Sequence, residues 1–439
     1  MRLKGLFFIL FCWPLIMQAQ TDLTLEECVA YALKNNEQLK SQALEKDIAT
    51  STIGETRSIG LPQVNATAGF QDNLKIQTIV FNVGDDSVAV IPAGTPVSGN
   101  ANVSLSQMIF NGSYFVGLQA ANALKDLTYK EYLKNEIDVV EAVSKAYYLV
   151  LVSDENLKLI SANYNRIKDL YDETYQLQIN GFVEKVDVSR LKVQLNNLQT
   201  SLKSSRELLE VSKAALKLQM GMPVETPISL SESLDQIVLE IQSIPLQRVD
   251  PVNRIEYSIL QENRNLALLD IKNNQVQYIP TIYASFNVGW NTGAVSNFGD
   301  LWKFEEPNWI RYTNWGLSLN VPIFDGLLKK YKIQTAKAKL NQVEFGMSQL
   351  ENSFKLEEMS ARTNLNNALD DYTVQKENVA LAEEIFDISK IKYQEGVGSN
   401  REVIDADTEW KTAQTNYFNA LYNALVAKID LEKTLGILK

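Results

Sequence analysis

Apolar residues fall on an alternating three-and-four spacing along two stretches of the chain. Val188, Leu191, Leu195, Leu198, Leu202, Ser205, Leu209, Ser212 and Leu216 form the first stripe, and Val403, Ala406, Trp410, Ala413, Tyr417, Ala420, Ala424, Ala427 and Leu431 repeat its spacing position for position. A mean step of about 3.5 residues keeps one seam facing a partner helix over many turns, so both stretches are predicted to be members of antiparallel coiled coils. Other landmarks recur at nearly the same offset: Leu61-Pro62-Gln63 with Ile279-Pro280-Thr281, Phe110-Asn111-Gly112 with Phe324-Asp325-Gly326, Gly181 with Gly396, and Gly221 with Gly436. The chain reads as a tandem duplication.

No proline lies between Pro96 and Pro223 or after Pro322, which leaves two matching stretches free to be helical almost throughout. Each of them, Ser113 to Gly181 and Leu327 to Gly396, would be roughly 67 residues, or about 100 Å, of helix. A second helix follows each. Near the N-terminus, Thr24 and Glu27 have the spacing of a capping box opening a helix that continues to about Ser58. The period then changes to two. Val64, Ala66, Ala68 and Phe70 alternate with polar or small residues, as do Ala101, Val103 and Leu105; a Gly/Pro-containing loop from about Asn73 to Asn100 joins them. In the second half, Ile282, Ala284, Phe286, Val288 and Trp290 form one face of a strand, and Trp315, Leu317, Leu319 and Val321 one face of the next.

Such strands suit an outer-membrane barrel with a wet interior, and the alternation alone suits equally a small soluble sheet laid on the helices. Trp290, Trp302, Trp309 and Trp315 gather around the second hairpin, as side chains that settle at a membrane interface do. Met1 to Ala19, with Arg2 and Lys4 ahead of the apolar run Leu6 to Met17, reads as a secretory signal peptide. Both features favour the membrane. Four strands per chain cannot close a barrel, because open edges would leave backbone groups unpaired in hydrocarbon, so several chains would have to share one.

The formal net charge is -11 and becomes more negative once the leader is removed, which makes nucleic acid a poor partner. The chain has no histidine and two cysteines, one of them Cys12 in the leader. Histidine-dependent catalysis and histidine-ligated metal sites are excluded, and neither cofactor nor metal is expected. The expected organisation is a leader over residues 1–19, a first repeat over 20–222, a proline-dense crossover linker over 223–250 that includes Ile237-Val238-Leu239, and a second repeat over 251–439.

The order helix, strand, strand, long helix, tight turn and helix, given twice, with Leu61-Pro62-Gln63 before the first strand and Phe324-Asp325-Gly326 after the last, resembles the TolC-type outer membrane efflux proteins. The most specific piece is Tyr393-Gln-Glu-Gly396-Val-Gly-Ser-Asn-Arg-Glu402-Val-Ile-Asp405-Ala, with Leu435-Gly436 near the end. The resemblance implies a mainly helical protein with some β structure, a duplicated coiled-coil α-barrel continued by a transmembrane β-barrel of twelve strands shared in a homotrimer. It implies an outer membrane location spanning into the periplasm, and partnership with a periplasmic adaptor protein and an inner-membrane transporter of an efflux or type I secretion system.

It also assigns residues. Gly181, Phe182, Val183, Gly396, Val397 and Gly398 would lie at helical turns that meet the adaptor, whereas glycine at such a turn has a plain local reading as a helix terminator. Glu402 and Asp405, three apart on one helical face, would ring a periplasmic constriction together with Asp187 and Tyr393; read without the resemblance, they are a solvated pair. Some relatives carry a basic residue within the second turn that pairs with an acid at the position of Asp187, and this chain has Gly398-Ser399-Asn400 there, so the lock would use Arg401, Arg190 or Tyr393 instead, or be weaker. The second reading, from another class, is a soluble periplasmic coiled-coil adaptor or scaffold without a barrel.

Overall fold

The computed structural model describes residues 22–82, 84, 88–232, 248–292, 296–306 and 308–438. The expected leader, and Ile237-Val238-Leu239 of the linker, lie outside the described residues. After a short strand β1 (Asp22–Leu23), helix α1 (Leu25–Asn35) opens with the capping box: Thr24 Oγ1 accepts from the Glu27 amide at 3.2 Å, and the Glu27 carboxylate accepts from the Thr24 amide at 2.9 Å. The expected unbroken helix to Ser58 is instead interrupted at Asn36, and α2 (Glu37–Ser58) starts afresh. Asn36 takes ψ 127°, and its Oδ1 accepts from the amides of Gln38 at 2.9 Å and Leu39 at 3.1 Å, replacing helical bonds that the break removes.

Strands β2 (Gln63–Asp72), β3 (Thr78–Asn82), β4 (Val88–Pro92) and β5 (Val97–Phe110) lead into α3 (Gly112–Ile179), α4 (Lys185–Met220) and β6 (Ser229–Leu230). The second half contributes α5 (Ile255–Val276), β7 (Thr281–Thr292), β8 (Trp309–Asn320), α6 (Leu328–Gln394) and α7 (Asn400–Leu435). The two longest helices have 68 and 67 residues, as the absence of proline predicts. No described helix is long and apolar enough to cross a membrane.

The chain divides into two units. One is drawn from residues up to Gln42, Leu133–Arg254 and from Asn352 onward. Here the two seams are buried: Leu191, Leu198 and Leu216 of α4 and Val403, Ala424 and Leu431 of α7 are fully enclosed. Ile167 of α3 sits with Leu195 and Leu198. Leu170, Leu191, Ala382, Phe386, Val403 and Trp410 join all four long helices in one cluster. Asn36 Nδ2 donates to the Gln219 carbonyl at 2.7 Å and ties the break after α1 to the end of α4. Lysines and carboxylates then link α3 to α7. Lys433 Nζ lies 2.7 Å from Asp138 and 2.5 Å from Glu141, and Lys145 Nζ lies 2.6 Å from both Glu141 and Asp430. Burial raises the carboxyls of Asp138 and Glu141, but the hydrogen bonds and charges of the lysines outweigh it and hold both below the usual range.

The other unit comprises Ala43–Tyr132 and Ile255–Glu351. Its centre is a four-stranded antiparallel sheet in the order β2-β5-β7-β8. Register aligns like with like. Asn65, Ser104, Asn287 and Asn314 form one row across the sheet, with Asn287 Nδ2 donating to Asn314 Oδ1 at 2.9 Å. The adjacent row, Val64, Leu105, Phe286 and Trp315, points to the opposite face. Val64, Leu317 and Trp315 stand exposed on that apolar face, Trp315 at 76%. At the end of the sheet away from the helices, Leu301 packs on Val97 and Trp309, whose Nε1 donates to the Leu301 carbonyl at 2.9 Å. The expected loop between the first two strands is a correction of detail: it carries β3 and β4 paired as a separate ribbon.

Two expectations follow. On a sheet whose apolar face meets lipid, Phe286→Lys or Leu317→Lys should cost about 2 to 4 kcal/mol of insertion, seen as a smaller membrane fraction resistant to urea extraction, while Asn287→Lys and Ser318→Lys on the opposite face should insert normally. The ionic link should loosen in acid. Carboxylates with depressed values keep their stabilisation above the ordinary pKa of about 4 and lose it as pH falls through their own lower values. Thermal melting of the helical signal should therefore fall more steeply below pH ~5 in the native protein than in Glu141→Gln; equal slopes would show that the link has no pH-dependent stability.

Candidate functional site at the helical turns

Helices α3 and α6 end in the same way. Gly181 and Gly396 have φ of +80° and +74°, a region that a side chain disfavours. The amide of each donates three residues back, to Gln178 and Tyr393, while the next amides, of Phe182 and Val397, reach Leu177 and Lys392. This pair of bonds satisfies carbonyls that a helix end would leave open. The two turns therefore expose Phe182 and Val397, at 77% and 80%, whereas Val183 is half-buried.

Gly398 has a different constraint. A Cβ there would lie 2.9 Å from Lys392 Cβ and 3.1 Å from the Tyr393 nitrogen, so this turn has no room for a longer side chain. Ser399 then caps α7, its Oγ accepting from the Glu402 amide at 3.3 Å and donating to the Glu402 carboxylate at 3.2 Å. Asn400, only 3% exposed, donates from Nδ2 to the Asp187 carbonyl at 3.1 Å and joins the second turn to the first turn of α4.

The residues expected at the constriction do not form one cluster within a single chain. Asp405 lines a cleft of about 490 Å³ between α4 and α7 with Arg190, Arg401, Val186 and Val193. Arg401 lies 3.6 Å from Asp405, an exposed pair, and Arg190 lies 3.8 Å from Asp187, whose side chain is partly buried. Tyr393 Oη is 3.5 Å from Thr174 Oγ1 on α3. Glu402 is exposed and turned to its own cap. All three residues considered for the lock thus have partners inside the protomer, each at long range.

A few turns from the tip is a buried polar layer that the sequence reading missed. Asp407, 1% exposed, accepts from Gln194 Nε2 at 3.0 Å through one oxygen, and the other has no hydrogen-bond partner. Burial pushes its carboxyl up, against the pull of Gln194, Arg166 and Lys411. The Arg166 guanidinium lies 3.8 Å over the Trp410 ring, which stacks on Phe386, and Arg166 also donates to Asn163. Asn163 Nδ2 in turn donates to Gln414 Oε1 at 3.1 Å. Asp407 and Gln414 occupy the same heptad position, one residue beyond the seam, and that recurrence was the available signal.

Comparison with known proteins agrees with this architecture. A family model described as outer membrane efflux protein matches residues 29–222 and 260–437. Outer membrane protein TolC of Escherichia coli is 22% identical over 422 residues, which covers 92% of this chain and 80% of that protein. The probable efflux pump outer membrane protein TtgC of Pseudomonas putida is 20% identical, covering 94% and 83%. Among solved structures, CusC superposes with a TM-score of 0.74 at 17% identity, covering 95% of this chain and 92% of that one. The open-state MtrE outer membrane channel of Neisseria gonorrhoeae gives 0.70 at 17% identity, covering 94% and 89%. Two long-helix repeats, each with its share of an amphipathic sheet and both matched by the family model, place this protein in the outer membrane efflux protein family.

Proposed function

We propose that three copies of this chain close one β-barrel in the outer membrane and one helical tunnel beneath it, a passive duct that opens when a periplasmic adaptor and an inner-membrane transporter dock at the helical turns. The observation that carries the reading is the four-stranded sheet: one polar face, one apolar face, and outer edges of β2 and β8 that pair with no other described strand. Only pairing with other copies satisfies those edges in hydrocarbon. Each half of the chain, 20–222 and 251–439 on either side of the 223–250 linker, would supply one hairpin to the barrel and one helix pair to the tunnel. A soluble adaptor would leave Val64, Phe286, Trp315 and Leu317 facing water, so the sheet gives that alternative no support.

At the turns, the exposed Phe182 and Val397, with Gly181, Val183, Gly396 and Gly398 shaping the backbone, would form the adaptor contact. Glu402 and Asp405 of each copy would ring the constriction and favour cations. Asp187 and Tyr393, through Asn400, Arg190 and Thr174, would hold the closed arrangement within each protomer.

In detergent the mature protein should have the mass of a trimer by light scattering; a monodisperse monomer stable without detergent would end the channel reading. The constriction is tested by Glu402→Ala with Asp405→Ala in planar bilayers. Cation selectivity and block by multivalent cations from the periplasmic side should both weaken, most visibly near 0.15 M salt where the Debye length is about 8 Å. Neutralising Glu377 and Glu384, exposed on α6, is the control. If both pairs act alike, the overall negative potential of the tunnel, and not a local ring, sets selectivity.

A further inference from the structure

The ribbon of β3 and β4 is built unlike the sheet from which it rises. Its register pairs Ile79 with Ile91 and Phe81 with Ala89 on one face, and Val80 with Val90 on the other, where Val88 also lies. Both faces are therefore mainly apolar, with Thr78 and Asn82 at the ends of the second. Ile79, Val80, Phe81, Val88, Val90 and Ile91 are all exposed, between 45% and 60%. The base of the ribbon is closed: the Asn73 amide donates to the Pro96 carbonyl at 2.7 Å, and its Nδ2 donates to the Thr95 carbonyl at 2.9 Å. It thus continues the β2–β5 pair beyond the end of the sheet that lies away from the helices.

Neither water nor lipid suits this element. A two-stranded hairpin is marginal in water by itself, and one with two apolar faces exposes a patch that soluble surfaces rarely carry. Hydrocarbon would cover the faces but leave the backbone groups of both outer edges unpaired. Packing each face on protein while the outer edges stay in water satisfies both, and two different faces have to be covered. In a ring of identical copies each subunit has two neighbours and presents a different face to each, which is a heterologous contact that closes. The ribbon also rises directly from β2, an edge strand of the sheet, where the next copy has to pair.

We propose that the three ribbons pack on one another at the outer mouth of the channel, the Ile79, Phe81 and Ile91 face of one copy against the Val80, Val88 and Val90 face of the next, as a constriction of the path. This rests on the trimeric reading above. A ring of apolar side chains at the mouth would narrow the path by contact between copies, without charge.

Cysteines on the two faces test it. Ile79→Cys with Val90→Cys places one thiol on each face; the two point apart within a chain and cannot bond there. Cys28 is buried with its thiol pushed up to about 12, which keeps it out of the oxidation. In oxidised outer membranes the double variant should give covalently linked trimers on non-reducing gels, whereas either single variant should stay monomeric after boiling. Linked channels should conduct differently by about two-fold or more once the bond is reduced. Light scattering in detergent measures the trimer independently. A trimer that does not cross-link overturns the ribbon contact and leaves the barrel standing; a cross-link to a protein of another size overturns it as well. A monomer removes the trimer and the proposal together.

Discussion

A backbone amide or carbonyl at the edge of a strand must be bonded to something, and in this protein that requirement organises the rest. The sheet ends in β2 on one side and β8 on the other, and neither outer edge meets another described strand. In water such edges would be solvated, but rows such as Val64, Leu105, Phe286 and Trp315 give one face an apolar band suited to lipid. An apolar face together with open edges is consistent only with closure by further strands of the same kind. The polar rows then necessarily line the interior, and Asn287 and Asn314, already bonded to each other, become part of a hydrated wall.

The helical half meets a different constraint with the same sequence device used twice. Both second helices carry the three-and-four seam, yet the two are not equivalent. The α4 seam is mostly leucine, while that of α7 is mostly alanine interrupted by Trp410 and Tyr417. Small residues allow neighbouring backbones to approach, and α7 accordingly buries a wider face that includes Phe418, Leu421 and Leu425 beyond the seam itself. Duplication provided two similar rods, and side-chain size then set one of them deeper among its neighbours.

Period and punctuation were legible in the sequence because they act locally. The seams, the strand alternation, the Thr24 capping box and the turns at Gly181 and Gly396 all express constraints that operate within a few residues along the chain. What stayed hidden depends on distant partners. The break at Asn36 is favoured by a bond to the Gln219 carbonyl, which lies far along the chain and has no local signature. The ribbon reads as loop because five-residue strands bounded by Gly84 and Gly94, with Pro92 ending one of them, offer too short a period to separate from turn chemistry. Asn400 passed unnoticed beside two carboxylates because its role requires the Asp187 carbonyl from another helix. Gly398 has no local signature that explains it in the sequence; its steric cause is the proximity of Lys392 and the Tyr393 backbone.

The same distinction between local and distant partners orders the energetics of the tip. The ties at the turns are Arg401 with Asp405, Arg190 with Asp187, and Tyr393 with Thr174, all between 3.5 and 3.8 Å. The Arg401–Asp405 pair is exposed and contributes at most about 1 kcal/mol, and the other two are long contacts between partly buried groups. The Asn400 bond is buried, and losing it leaves a polar group unmet at a cost of about 1 to 3 kcal/mol. Beyond it lies the layer of Asp407, Gln194, Arg166, Asn163 and Gln414, where separating the helices would strand an arginine and a carboxyl in an apolar surround. Under the proposed docking at the turns, the partner's binding energy would have to overcome these weak ties first. The same energy spent on the Asp407 layer would have to break several buried bonds together, so under that proposal the layer would resist any rearrangement begun at the tip.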